Sequence, residues 1–158
     1  MSPDRLAAAR LPLLERLADA EPRRRQEDPP LRLLDRAGLQ ASVGRELARL
    51  LNSRRALCQP SQSVMASVIG YGVPDWTGLY AANPDDRATI ARGVLRTVQA
   101  FEPRLREVEV EVAPATNRQD ALRLLLRGVL RCDDASWPVA FGFRYGPGGA
   151  VLVCEDGI

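Results

Sequence analysis

Apolar and polar positions alternate most clearly in the segment FEPRLREVEVEV, residues 101–112. Valine occupies positions 108, 110 and 112, and glutamate occupies positions 107, 109 and 111. A period of two predicts a β-strand that begins near Leu105, with one face buried and the other in solvent. Glu102, Pro103 and Arg104 stand at the entrance of this strand, so the two opposite charges around a proline need an explanation.

A helix is predicted directly before the strand. Asn83 is a favourable N-cap, Pro84 is tolerated at the first helical position, and the acidic residues that follow suit the positive end of a helix dipole. Its buried stripe consists of Ile90, Val94, Val98 and Phe101. Pro103 ends the helix and keeps Glu102 extended.

A second helix is predicted within residues 31–54, where apolar side chains recur at helical spacing. Its core positions are Leu39, Val43, Leu47, Leu50 and Leu51. Residues 56–80 contain repeated glycine and proline and no sustained period, which predicts a long connection. Within that connection, the loop GYGVPDWTGL presents Trp76 either to a partner or to the domain's own core. Aromatic residues on loops are frequent interface anchors, which favours the partner.

The C-terminal part predicts a strand meander preceded by one ambiguous segment. The spacing of leucines in residues 121–132 suits both periods, and the local pattern favours a helix. Alternating Val139, Phe141, Phe143 and Tyr145, the turn GPGG and the segment AVLVCE then indicate two strands. We expect an α+β fold, with helices packed on one face of a small, mainly antiparallel sheet.

The N-terminal region divides by composition into two short parts ahead of the main domain. Residues 1–20 form an amphipathic segment in which a helix begins at Ser2 and is broken or restarted at Pro12. Its apolar stripe includes Leu14 and Leu17, which bind a partner in one interpretation and fold back on the domain in the other. Residues 21–30 form a charged linker, and residues 31–158 form the domain.

Composition narrows the possible chemistry. The chain has no His, its 22 basic residues are all Arg, and the net charge is +2. Missing imidazole removes Ser-His and Cys-His nucleophile pairs and the usual zinc ligands, so any catalysis would have to use carboxylates, Arg, Tyr or a thiol. We expect no cofactor and no metal site. The three cysteines, Cys58, Cys132 and Cys154, include no C-x-x-C pair and are interpreted as reduced thiols of a cytoplasmic protein. No apolar run approaches the length of a bilayer, so we expect no direct membrane insertion.

Two other functions remain as alternatives at this point. A glycosidase needs only two carboxylates on either side of a bond, for which Glu102, Asp75 and Glu107 are candidates. Nucleic acid has weak support from residues 23–25 and from the row Arg123, Arg127 and Arg131, because neither group is interleaved with aromatic residues. We therefore expect no nucleic-acid partner.

The order of the motifs resembles a known family. The segments LLERLAD, LARLLNSRR, YGVPDWTGL and DDRATIARGVLRTVQAFEPRLREVEVEV, followed by the meander, are similar to TssE, the baseplate subunit of bacterial type VI secretion systems. That family is related to a wedge protein of contractile-phage baseplates once labelled lysozyme-like. The likeness runs from about residue 11 to the C-terminus, and one departure is the longer, more apolar stretch ALCQPSQSVMASVI.

The resemblance implies a protein without catalytic activity, held at the cytoplasmic face of the inner membrane among TssF, TssG and TssK type subunits. It also implies contact with TssB/TssC type sheath subunits through strand addition to the sheet. It makes Glu102, Pro103 and Arg104 the functional signature, an exposed charge pair oriented by proline. It also makes residues 121–131 a strand rather than a helix. Two alternatives to this assembly role stay open: a carboxylate-based peptidoglycan hydrolase, and an anti-adaptor protein of the same architecture.

Overall fold

The computed structural model describes residues 9–10, 23, 33–55, 61, 64, 67–115, 121–146 and 149–153. Its strands are β1 (Ala9–Arg10), β2 (Leu33–Leu34), β3 (Leu105–Pro114), β4 (Leu122–Cys132), β5 (Ala135–Gly146) and β6 (Gly149–Val153). Its helices are α1 (Arg36–Asn52) and α2 (Pro84–Phe101), with a 3-10 turn at Val68–Gly70. The sheet order is β3-β4-β5-β6, and each neighbouring pair is antiparallel. Both helices contribute to one hydrophobic core against this sheet, so the predicted α+β arrangement is confirmed.

Helix α1 begins at a cap that the apolar spacing did not show. The carboxylate of Asp35 accepts a hydrogen bond of 2.7 Å from the amide of Gly38, which satisfies one free donor of the first turn. The five predicted core positions, Leu39, Val43, Leu47, Leu50 and Leu51, are each 2% exposed or less. The predicted helix and its buried face are therefore confirmed.

Helix α2 starts and ends where the sequence predicts. The side chain of Asn83 accepts a hydrogen bond of 3.0 Å from the amide of Asp85, and Pro84 follows the cap. Ile90, Val94 and Val98 are buried, whereas Phe101 is only half-buried. The helix packs chiefly against β3, the strand that follows it.

Residues 122–132 form a strand, so the helix that local spacing favoured is wrong and the strand that the resemblance implied is confirmed. The buried side chains of β4 are Leu122, Leu124, Leu126, Leu130 and Cys132. Leucines at these positions satisfy both periods, and pairing with β3 on one side and β5 on the other selects the extended form. The strands predicted after the segment are also confirmed.

Strand β3 contains a bulge, in which Glu107 and Val108 together face the single residue Gly128 of β4. Glu107 takes a φ of 52°, as expected where an extra residue is inserted into one strand. A Cβ on Gly128 would lie 2.9 Å from the backbone oxygen of Arg106, so the close approach of the two strands requires glycine here.

The extra residue reverses the alternation of β3. Leu105 is 3% exposed and occupies an odd position, whereas the valines that pack against the core occupy even positions 108, 110 and 112. The glutamates at positions 107, 109 and 111 are exposed. The predicted strand with a valine face and a solvent face is confirmed, and the bulge brings Leu105 to the valine side.

The N-terminal segment returns to the domain through a short pairing, with Ala9 opposite Leu34 and Arg10 opposite Leu33. A helix that begins at Ser2 and reaches Pro12 is therefore wrong, because Ala9 and Arg10 are extended. The predicted stripe containing Leu14 and Leu17 lies outside the described residues, as does the linker 21–30 except for Arg23. In the part of the chain that the structure describes, no helix has the length and apolar character needed to cross a bilayer.

Candidate partner-binding site

The corner between α2 and β3 is built around an ion pair. The Nε and Nη2 atoms of Arg104 donate to the two carboxylate oxygens of Glu102 at 2.7 and 2.6 Å. The backbone amide of Arg104 also donates to Glu102 at 3.2 Å, so the carboxylate is bound from the side chain and the main chain. Such a bidentate pair fixes both side chains relative to the strand that follows.

The expectation that both charges of this pair are exposed is wrong for Glu102. Glu102 is 3% exposed, and the side chain of Arg104 is 28% exposed. Pro103, between them, is exposed. Because the chain turns at the proline, the carboxylate is directed inward, where it needs its own guanidinium as counter-ion. The surface of this corner is therefore formed by Pro103 and part of Arg104.

A small pocket connects the corner to α1 and to the loop after the 3-10 turn. It has a volume of about 30 Å³ and is lined by Glu46, Leu47, Leu50, Tyr71, Phe101 and Glu102. The rings of Tyr71 and Phe101 meet edge to face, with their centroids 5.2 Å apart. Burial raises the pKa of Tyr71 above its ordinary value, and the nearby Glu46 carboxylate adds to the rise while Arg49 opposes it. The phenol therefore stays neutral over the usual pH range.

The YGVPDW loop is hydrogen-bonded to the end of α1. The amide of Val73 donates to the carbonyl of Ser53 at 2.8 Å, and the amide of Arg55 donates to the carbonyl of Val73 at 3.1 Å. Gly72 has a φ of 102°, and a Cβ on it would lie 2.5 Å from the carbonyl oxygen of Ser53. The segments LLNSRR and YGVPDW thus fold as one unit beside the FEPRL corner.

Asn52, the last residue of α1, binds the edge strand β6. Its Oδ1 accepts from the amide of Ala150 at 2.7 Å, and its Nδ2 donates to the carbonyls of Ala150 and Ala48, each at 2.9 Å. These Ala150 groups point away from β5, because the paired Tyr145 turns its carbonyl the other way, to the amide of Ala121 at 2.7 Å. One side-chain amide therefore bonds the edge of the sheet as a further strand would.

Replacing Asn52 by alanine is expected to lower the free energy of unfolding by about 1–3 kcal/mol, since the Ala150 groups lose a specific donor and acceptor. Urea unfolding would measure the loss, and hydrogen exchange would show faster exchange at the Ala150 amide. Asn52→Asp keeps the acceptor for that amide but turns a carboxylate oxygen toward the carbonyls of Ala150 and Ala48, so it should lose stability as well. Unchanged stability and unchanged protection of Ala150 in Asn52→Ala would contradict the role given to the side chain.

Trp76 packs in part against its own domain, which is one of the two roles predicted for it. Its ring packs partly against the core and meets Tyr145 edge to face, with the centroids 5.8 Å apart. It is half-buried, so the loop uses it at least in part to hold its own domain. Its role as a partner anchor stays a prediction.

Three large apolar side chains are more exposed than Trp76 and were missed by the sequence argument. Val68 is 91% exposed, Ile69 is 61% exposed and Tyr80 is 70% exposed. They lie in or beside the long connection, where no periodicity separates inward from outward positions. A count of apolar residues in an aperiodic, glycine-rich segment would have been the only signal.

The carboxylates proposed for hydrolysis do not share an environment. Asp75 accepts hydrogen bonds from the hydroxyl and amide of Thr77 at 2.7 and 3.0 Å and from Arg54 at 2.7 Å. The Thr77 bonds, more than Arg54, hold the pKa of Asp75 below its ordinary value. Glu102 is buried in its ion pair, and Glu107 is exposed at the bulge.

Of the three cysteines, only Cys132 lies within the described residues. Burial raises the pKa of its thiol, and the neighbouring Asp133 adds to the rise, so little thiolate forms at neutral pH. Cys58 and Cys154 lie outside the described residues.

Comparison with known proteins identifies one family. A family model described as the baseplate wedge protein gp25 matches residues 37–135. No curated protein matches the chain. A chain of a solved structure described as the baseplate complex from the type VI secretion system matches with 17% sequence identity and a TM-score of 0.47. The match covers 67% of this chain and 93% of that chain.

Proposed function

This chain belongs to the family of the baseplate wedge protein gp25, and from this we propose that it is a structural subunit of a type VI secretion baseplate. In that assembly it binds neighbouring wedge subunits and helps to start the contractile sheath. The family match carries the proposal, since residues 37–135 include nearly all of α1 together with α2, β3 and β4.

The position of the three distinguishing motifs supports a role in assembly. LLNSRR ends α1, YGVPDW is hydrogen-bonded to that end, and Tyr71 of the loop contacts Phe101 next to the Glu102–Arg104 pair. The segments that carry the resemblance to TssE therefore meet at one corner of the molecule. A shared binding surface explains why residues far apart in sequence belong to one signature.

Arg104 and Pro103 are the groups of the signature that a partner can reach, and Glu102 acts as the residue that positions Arg104. The bidentate pair holds the guanidinium in a fixed direction, so a partner would meet a preorganised cation rather than a flexible side chain. The partners in this proposal are TssF, TssG and TssK type subunits, with the protein in the cytoplasm at the inner face of the membrane.

Sheath initiation follows by strand addition, for which we expect the β3 edge to serve. Among the described strands, β3 and β6 form the two edges of the sheet, with 10 and 5 residues. Asn52 already occupies the outward groups of Ala150 on β6. A strand from a TssB/TssC type sheath subunit would therefore find its longer template on β3.

The peptidoglycan hydrolase has less support. A general acid at neutral pH needs a raised pKa, whereas the pKa of Asp75 is lowered. The pocket beside Glu102 has about 30 Å³, and small-molecule sites usually have at least about 300 Å³. These observations favour binding over chemistry at this corner.

Co-purification with the wedge and sheath subunits of the same secretion cluster tests the proposal. The tagged natural protein should retain at least one TssF, TssG or TssK type subunit. Arg104→Lys keeps the charge and loses the bidentate fork, so we expect retention to fall about tenfold. Failure of the natural protein to retain any of these subunits would refute the assembly role.

Arg92→Lys is a matched control, because Arg92 lies outside the three motifs, is exposed on α2, and donates to Ala88 and Thr89 of its own helix. It should retain partners as the natural protein does. Circular dichroism and urea unfolding would confirm that both variants fold. Equal retention by Arg104→Lys and Arg92→Lys would remove the corner from the interface and leave the wedge assignment standing.

A further inference from the structure

The face of the sheet opposite the helices carries a row of three arginines on β4. Arg123, Arg127 and Arg131 alternate with the buried leucines of the strand, and all three are exposed. Half-buried Leu125 and Val129 lie between them on the same face. We infer that this arginine row is a docking surface for an acidic segment of a protein partner.

The strand register leaves the two ends of the row without a facing acid. Arg123 stands opposite Ala113 of β3 and Arg144 of β5. Neither neighbouring strand therefore places a carboxylate directly across from Arg123.

The other end follows the same pattern. Arg131 stands opposite Ser136 of β5, and its amide donates to the carbonyl of Arg104 on the β3 side at 2.9 Å. Neither neighbouring strand therefore places a carboxylate directly across from Arg131. Among the residues that the structure describes, the middle arginine, Arg127, is the one member of the row with an acid in contact, Glu111 at 3.1 Å.

The side chains of β5 beside part of the arginine row are small. The outward residues of β5 opposite the segment from Arg127 to Arg131 are exposed: Ser136, Pro138 and Ala140. Long arginine side chains next to short ones form a ridge with open space on one side. Leu125 and Val129 add apolar contact area between the charges, as interfaces commonly combine the two.

The spacing indicates an extended partner. Successive arginines of the row are four residues apart on a strand, which is about 13 Å. One small anion cannot span two of them, whereas a protein segment with several Asp or Glu residues can. Charge complementarity of this kind also speeds encounter between partners.

Nucleic acid fits the face less well. Glu109 stands opposite Arg127, and Glu111 borders the same arginine, so a phosphate backbone along the row would meet two carboxylates. The aromatic side chains of β5 at Trp137, Phe141 and Phe143 are buried on the other face, which leaves no stacking platform among the outward residues of β4 and β5.

Charge reversal at the two ends of the row tests the inference. Arg123→Glu with Arg131→Glu moves the formal net charge from +2 to −2 and leaves the Arg127 ion pair in place. Arg92→Glu with Arg96→Glu makes the same change at exposed positions of α2. Circular dichroism and urea unfolding would confirm that both double variants fold.

The first measurement is binding to the co-purified wedge subunits, so for the identity of the partner the inference rests on the proposed function. We expect the row variant to bind about tenfold more weakly and the helix variant to bind as the natural protein does. Equal affinity of the two variants, whether both keep or both lose the partner, would overturn the docking surface without touching the wedge assignment.

A labelled Glu-rich peptide, with a Lys-rich peptide of the same length as its control, tests the surface when the natural protein binds no wedge subunit. Fluorescence anisotropy should show salt-sensitive binding of the Glu-rich peptide that the row variant loses and the helix variant keeps. Absence of that binding would refute the inference. Tighter, row-dependent binding of heparin or duplex DNA would refute it as well, because the face would then select nucleic acid.

Discussion

Replacing Arg104 by alanine is expected to lower the free energy of unfolding by about 3–5 kcal/mol, because it leaves a carboxylate inside the protein without its counter-ion. Glu102 is 3% exposed, and both of its oxygens bind the guanidinium. The backbone amide of residue 104 would be the remaining donor among the contacts described for this carboxylate. Urea unfolding followed by far-UV circular dichroism would measure the loss.

A second substitution separates the buried charge from lost packing. Glu102→Gln in the Arg104→Ala background replaces the carboxylate by a neutral amide of the same shape, so the double variant should be more stable than Arg104→Ala alone. A loss below about 1 kcal/mol in Arg104→Ala would place the pair among exposed ion pairs. The result also matters for function, because an alanine variant that loses partners has to be shown to be folded.

Gly72→Ala is expected to be the other severe change, with a loss of about 3 kcal/mol or more from overpacking and backbone strain together. Its φ of 102° disfavours any side chain, and the new Cβ would be driven to 2.5 Å from the carbonyl oxygen of Ser53. The loop would have to move away from α1, which breaks the bond from Val73 to Ser53. Urea unfolding and hydrogen exchange at the Val73 amide would detect both effects.

Gly93→Ala is the matched control for this loop. A Cβ on Gly93 would lie 3.4 Å from Cγ of Pro74, an ordinary contact, and alanine favours the helix in which it sits. We expect unchanged or slightly increased stability. If Gly72→Ala behaved in the same way, the contact between the loop and α1 would be adaptable rather than fixed.

The helices could be predicted because their signals are local. Asn83 and Pro84 define the start of α2 through the side chain and backbone of those two residues alone, and Pro103 defines its end. The buried stripe of α1 follows from spacing within a single helix. Each of these features depends on physics that acts over a few residues, which a sequence contains in full.

Strand β4 and the bulge could not be predicted locally, because partners far along the chain decide them. Leucines at positions 122–126 suit a helix until β3 and β5 supply hydrogen bonds on both sides. In the sequence, Gly128 is an isolated glycine, and its role in the bulge follows only from its position opposite Glu107 and Val108. The order of whole motifs, unlike periodicity, carried this long-range information, which is why the resemblance predicted the strand correctly.

The orientation of the candidate site could not be predicted from the sequence. The motif order marked Glu102, Pro103 and Arg104, and the structure places them at the corner where three motifs meet. The direction in which Glu102 points depends on the turn at Pro103 and on the space beside Tyr71, neither of which a charge pattern contains. For the same reason, the exposure of Val68 and Ile69 could not be foreseen.

The hydrogen bonds between Asn52 and Ala150 make the two edges of the described sheet unequal. If sheath strands add to β3 as proposed, this subunit would act as a primer with one growing edge, because Asn52 already bonds the outward groups of Ala150 on β6. Under that proposal, such a primer would set the polarity of sheath growth, with strands added at β3 and not at β6. The same backbone groups of Ala150 are unavailable to β6 of a second copy of this chain.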